Sequence, residues 1–159
     1  MHDLSKYAHR PEYIREGLLR VGWLERPQGD SGDQELAERL AAFLPYRVAR
    51  SRGLHICPPC RERFPLKTRN LGLLQVTEPP EFQKWGELLL GSAEFRVFGA
   101  ETEAYACPDL IVHYVAAHQY RPPLAFLEAL ERGPAPGSPE YLRRLIDYTN
   151  PEDHKRLEL

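Results

Sequence analysis

Apolar positions return at helical spacing in two stretches of the chain and alternate at strand spacing in one. Leu36, Leu40 and Phe43 share a face between Asp33 and Leu44, with charges opposite, which predicts an amphipathic helix ended by Pro45. Leu142, Leu145 and Ile146 do the same between Pro139 and Tyr148, behind the capping residue Ser138. Punctuation marks two more helices. Pro108 and Asp109 open one over Leu110 to about Ala117, and Pro122-Pro123 and Gly133 bracket another over Leu124 to Arg132. A capped turn and a short helix are expected from Asp3 or Ser5 through Leu18-Leu19-Arg20, and the tail after Pro151 is expected to fray.

Between these lie short strand patterns. Glu87 to Leu90 leads through Gly91 into Glu94-Phe95-Arg96-Val97-Phe98, where Phe95 and Val97 fall on one side. Gly99 to Glu103 reads as a hairpin loop returning through Ala104-Tyr105-Ala106. Tyr46-Arg-Val-Ala is a short strand or connector, and Leu71 to Val76 a further strand candidate. The fold class is therefore α+β, a small antiparallel meander with about five helices. Residues 1–132 form one such domain. The stretch 133–159 is a Pro/Gly linker and a C-terminal helix packed on or extending it.

Composition narrows this picture only a little. At 159 residues, 42% hydrophobic and 28% charged, the chain has enough apolar material for one core. No apolar run spans a bilayer and the N-terminus lacks a secretory pattern, so no membrane partner is expected and the location is expected to be cytoplasmic. The net charge of −2 hides a polarity along the chain. Arg47 to Arg69 carries seven basic residues against Glu62, whereas Glu78 to Asp109 carries seven acidic residues against Lys84 and Arg96.

The chemistry concentrates in two pairs. Cys57 and Cys60 are separated by two prolines, and His113 and His118 by four residues, the ligand spacing of a tetrahedral zinc site. The 52 residues between the pairs exceed what a small zinc finger uses, so the hairpin is expected as an insertion and zinc as a staple between two elements. His55 is either a ligand in place of one helix histidine or a group behind the ligands. An open fourth position would instead permit zinc-bound water chemistry, with Glu94 or Asp109 as base. A dithiol role for Cys57 and Cys60 would need a long helix after the first thiol, which the prolines and Pro65 disfavour. Cys107 reads as a small buried residue.

Four segments together resemble a family of small uncharacterised bacterial proteins. They are Val21-Gly-Trp-Leu24, Gly53-Leu-His-Ile-Cys-Pro-Pro-Cys60, Gly91-Ser-Ala-Glu-Phe-Arg-Val97, and Tyr105 through Pro123 with its Pro-Asp-Leu-Ile-Val-His113-Tyr-Val-Ala-Ala-His118-Gln-Tyr core. The resemblance runs from about Asp3 to Arg132 and keeps the two pairs in the same order. It implies a bacterial cytoplasmic protein and a setting among toxin and immunity genes.

The functional expectation is a non-catalytic, zinc-stabilised protein-binding module, an immunity protein that covers a toxin being the instance in view. Its partner surface is expected on the acidic stretch, at Glu94, Glu101 and Glu103. The alternative is a nucleic-acid-binding module using the basic segment 47–69, and the third reading a zinc-dependent hydrolase.

Overall fold

The alternation at 94–98 makes an outer strand of the central sheet, in a computed structural model that describes residues 2–7 and 14–159. Among those residues the elements run β1 (Leu18–Arg20), α1 (Gln34–Ala41), α2 (Pro58–Arg63), β2 (Thr68–Leu71), β3 (Leu74–Thr77), β4 (Lys84–Trp85) and β5 (Leu88–Leu89). They continue with β6 (Glu94–Phe98), β7 (Ala104–Pro108), α3 (Ile111–Ala117), α4 (Leu124–Arg132), α5 (Pro139–Ile146) and α6 (Pro151–Leu157). The class is α+β, as the patterning predicts.

Strand β7 lies between its neighbours in the order β1-β7-β6. It pairs antiparallel with β6, Phe95 opposite Cys107 and Val97 opposite Tyr105, and parallel with β1, Leu19 opposite Tyr105. Both faces of the β6–β7 pair are buried: Phe95, Val97, Tyr105 and Cys107 on one, Arg96, Phe98, Ala104 and Ala106 on the other. Each outer edge is covered. Leu4 and Tyr7 donate to the Arg20 and Leu18 carbonyls, and Val48 exchanges two backbone hydrogen bonds with Glu94. Those contacts satisfy groups that would otherwise template pairing with another chain.

Several expectations need correction. Leu18-Leu19-Arg20 is a strand, not the end of a helix, because β7 and the 4–7 segment both offer it backbone partners; residues 8–13, where that helix would begin, lie outside the described residues. The sheet is accordingly mixed rather than a pure meander. The 87–90 segment pairs with Lys84–Trp85 in its own two-stranded ribbon. The 71–76 strand is broken by a turn at Gly72-Leu73, so β2 and β3 fold back on each other as a hairpin. The tail forms a helix, since the Asn150 side chain caps it on the Asp153 N–H and Pro151 stands where no N–H is needed.

Residues 133–159 complete the core. Tyr141 and Leu145 are fully buried, and the Tyr141 hydroxyl donates to the Arg96 carbonyl at 2.7 Å. Arg96, buried in the sheet, donates through Nε to the Tyr148 carbonyl and through Nη1 to Glu94 at 2.8 Å. The Asp153 carboxylate accepts from the Ala49 N–H. Aromatic packing runs from Phe95 through Phe43 and Tyr141 to Phe98.

Candidate metal centre

Cys57 is the N-cap of α2, and Pro58 and Pro59 occupy its first turn, where a missing N–H costs nothing. One turn on, Cys60 comes to the same side. Helix α3 supplies His113 from a buried turn, and the chain leaves it through His118, whose backbone is no longer helical, and Gln119 at φ +54°. The two pairs thereby meet although 52 residues separate them.

The ligand atoms of Cys57, Cys60, His113 and His118 all lie within 4.8 Å of one another, and all four residues are buried. His118 Nε2 is 3.2 Å from the sulfur of Cys57, from that of Cys60 and from His113 Nε2; Cys60 Sγ lies 3.4 Å from His113 Nε2. Such a cluster can bind a metal ion.

The electrostatics of the surrounding protein matrix point the same way. Burial, then the neighbouring Cys57, pushes the Cys60 thiol up to about 12, and burial raises Cys57 too. Burial and then His118 hold His113 at about 4. The matrix alone disfavours two thiolates side by side; a cation among them reverses that preference.

Residues behind the ligands fix their orientation. The Gly29 carbonyl lies 2.9 Å from His118 Nδ1, which assigns the proton to Nδ1 and leaves Nε2 free to ligate. Gly29 has φ +96°, where a side chain is strained, and the Gln119 side chain already fills the space a Cβ would take. Buried Gln83 accepts from the Cys57 N–H at 3.1 Å and donates to the His55 and Leu90 carbonyls at 2.8 and 2.7 Å. Neither Gly29 nor Gln83 carries a sequence signal: one sits in a loop known only by composition, the other among short segments with no clear period.

The remaining expected residues are placed as follows. His55 is exposed, and among the described residues its ring is outside the four-residue group; its backbone, not its imidazole, serves the site. Glu94 accepts from the Tyr7 hydroxyl at 3.0 Å and from Arg96, and lines a cleft of about 530 Å³ with Trp23, Asp109 and Tyr114. Asp109 is buried, accepts from the Gly91 N–H and faces Arg47 at 3.3 Å; burial still raises its carboxyl above the usual range. Glu101 and Glu103 are exposed at the β6–β7 turn, where backbone N–H groups of Glu103 and Glu101 hold the Glu103 carboxyl below its usual value. In the basic segment Arg47 is tied to Asp109 and Arg63 lies 3.8 Å from Asp30. Cys107 is fully buried with its thiol pushed well up by desolvation.

A family model described as a domain of unknown function, DUF7919, matches residues 1–131. The chain belongs to the DUF7919 family. All four cluster residues fall inside the matched region, so the centre is part of the DUF7919 domain itself, while α5 and α6 lie beyond it and still complete its core. No curated protein and no solved structure matches the chain. Among the described residues no helix is long and apolar enough to cross a membrane.

Proposed function

We propose that this DUF7919 protein is a non-catalytic protein-binding module whose fold is held by one structural zinc. The observation that carries the metal assignment is the spacing of the four buried ligand atoms. Zinc with bonds of about 2.3 Å to sulfur and about 2.0 Å to nitrogen separates its ligands by roughly 3.3 to 3.8 Å. Four of the six separations, at 3.2 to 3.4 Å, are close to those edges, and all six lie within 4.8 Å. A two-thiolate, two-imidazole donor set suits zinc better than the oxygen-seeking cations. Four protein donors occupy every corner, which favours a staple over a hydrolase.

The partner surface is argued from charge. Glu101, Glu103 and Glu128 line one hollow of about 260 Å³ with Ala100, Tyr105 and Arg132, an exposed acidic concavity matched to a basic protein partner. Glu94, satisfied by Tyr7 and Arg96, stands outside it. A toxin held by its immunity protein is the instance that the family resemblance suggests.

The first test is elemental analysis of purified chain, with Cys57→Ser and His113→Ala beside it. One zinc per chain, lost in both variants together with thermal stability, supports the staple; a metal-free chain of full stability overturns it. The second is capture of partners from a bacterial lysate at low and high salt. Charge reversal at Glu101, Glu103 and Glu128 should slow association with a basic protein, and an unchanged complex counts against this surface.

A further inference from the structure

The β2–β3 hairpin stands on no core of its own. All of its strand residues are exposed, yet its side chains are sorted. The register sets Leu71 opposite Leu74 and Arg69 opposite Val76, so Leu71, Leu74, Val76 and Arg69 share one face, while Thr68, Asn70, Gln75 and Thr77 share the other. This is the pattern of a ribbon with one side buried. Leu71, Leu73, Leu74 and Val76 are instead 51, 106, 71 and 36% exposed. The turn is built for the ribbon: Gly72 at φ +61° takes the first central position of a two-residue loop and leaves Leu73 at the tip.

At the other end of the ribbon lies a cavity of about 640 Å³, lined by Phe64, Pro65, Leu66, Pro79 and Phe82 and reached by Arg69. Arg69 belongs to the apolar face, so ribbon and cavity form one continuous surface, with a projecting leucine at one end and an apolar hollow at the other. A projection and a hollow at opposite ends of one strip are self-complementary under a two-fold axis, because antiparallel stacking brings each tip over the other copy's base.

We infer that two copies of this chain associate through their β2–β3 arms, face to face, with Leu73 and Leu74 of each seated in the Phe64–Phe82 cavity of the other. Charge permits it. The strip from Leu73 to Thr77 carries no charged residue, lysine or proline of the kind that usually guards an exposed ribbon. Covering Phe64, Leu71, Leu73, Leu74 and Val76 in both copies removes on the order of 1,000 Å² of surface from those side chains alone, near the lower limit for a specific interface. This inference concerns a face separate from the acidic hollow and does not rest on the metal assignment.

Sedimentation equilibrium of the full chain should give a dimer in the micromolar range. Leu73→Asp with Leu74→Asp should weaken it at least roughly tenfold, while metal content and near-UV dichroism stay those of the native chain. Mixing Leu73→Cys chains with Phe64→Cys chains should give an intermolecular disulfide that neither forms as readily alone. A chain monomeric throughout that range overturns the inference, as does a dimer indifferent to the Leu73 and Leu74 changes. If the monomer loses a foreign protein on Leu73→Asp, the arm belongs to that partner and not to a second copy.

Discussion

The side-chain oxygen of Gln83 accepts a hydrogen bond from the Cys57 backbone N–H at 3.1 Å, and the Gln83 amide nitrogen holds the His55 and Leu90 carbonyls. One buried amide thus fixes the loop before the cysteine pair against the β4–β5 ribbon. Three backbone groups depend on it.

Gln83→Ala should therefore cost about 2 to 4 kcal/mol, since it leaves buried polar groups without partners. Gln83→Glu keeps the acceptor, loses both donors and buries a charge, and should be no better. Urea denaturation of the full chain measures both, and a shift under about 0.5 kcal/mol for Gln83→Ala would remove its structural role.

Gly29→Ala should displace the carbonyl that orients His118. The substitution forces a side chain onto a φ of +96° against Gln119. Metal affinity is expected to fall roughly 10- to 100-fold with modest loss of stability in the loaded state. Competition with a zinc chelator gives the affinity, and an unchanged value would mean that another group orients the imidazole.

Truncation after Arg132 keeps the whole family match yet should not fold cooperatively. It removes Tyr141, Leu145 and Tyr148 from the core and strips the Tyr141 and Tyr148 contacts from Arg96. Each lost core aromatic costs about 3 to 5 kcal/mol, against a total stability of roughly 5 to 15. A sharp thermal transition for residues 1–132 would show that the C-terminal segment is dispensable.

Alkaline stability should depend on Tyr7. Burial, then the Glu94 carboxylate, raises its phenol from 10.0 to about 12. The folded state thus holds the proton more tightly than the unfolded one. Its contribution is complete below pH 10 and is lost as pH rises towards 12. Tyr7→Phe should flatten the loss of stability across that window, and a pH–denaturation series that is parallel for the two proteins would refute the assignment.

Helices at 34–41, 124–132 and 139–146 were legible because their information is local: an apolar stripe, a capping Asp33 or Ser138 and a bounding proline or glycine. The four residues that could ligate a metal were legible for the same reason, since spacing within each pair is set by one turn of backbone. Leu18–Arg20 was not, because a three-residue apolar run has no period and its strand state comes from β7, more than eighty residues away. Nor were Gly29 and Gln83, whose roles consist of one carbonyl and one amide reaching across the fold.

By itself the sequence determined which atoms could ligate a metal, the α+β class and the helices with strong stripes, all properties of neighbouring residues. Tertiary structure alone decided that the two pairs converge, that Glu94 is consumed by Tyr7 and Arg96, and that Leu71, Leu74 and Val76 share an uncovered face. Convergence over 52 residues depends on how the β6–β7 hairpin turns the chain back. The turn at 99–103 is marked locally, but where the hairpin delivers α3 against α2 is set by packing between distant segments, which no local pattern encodes.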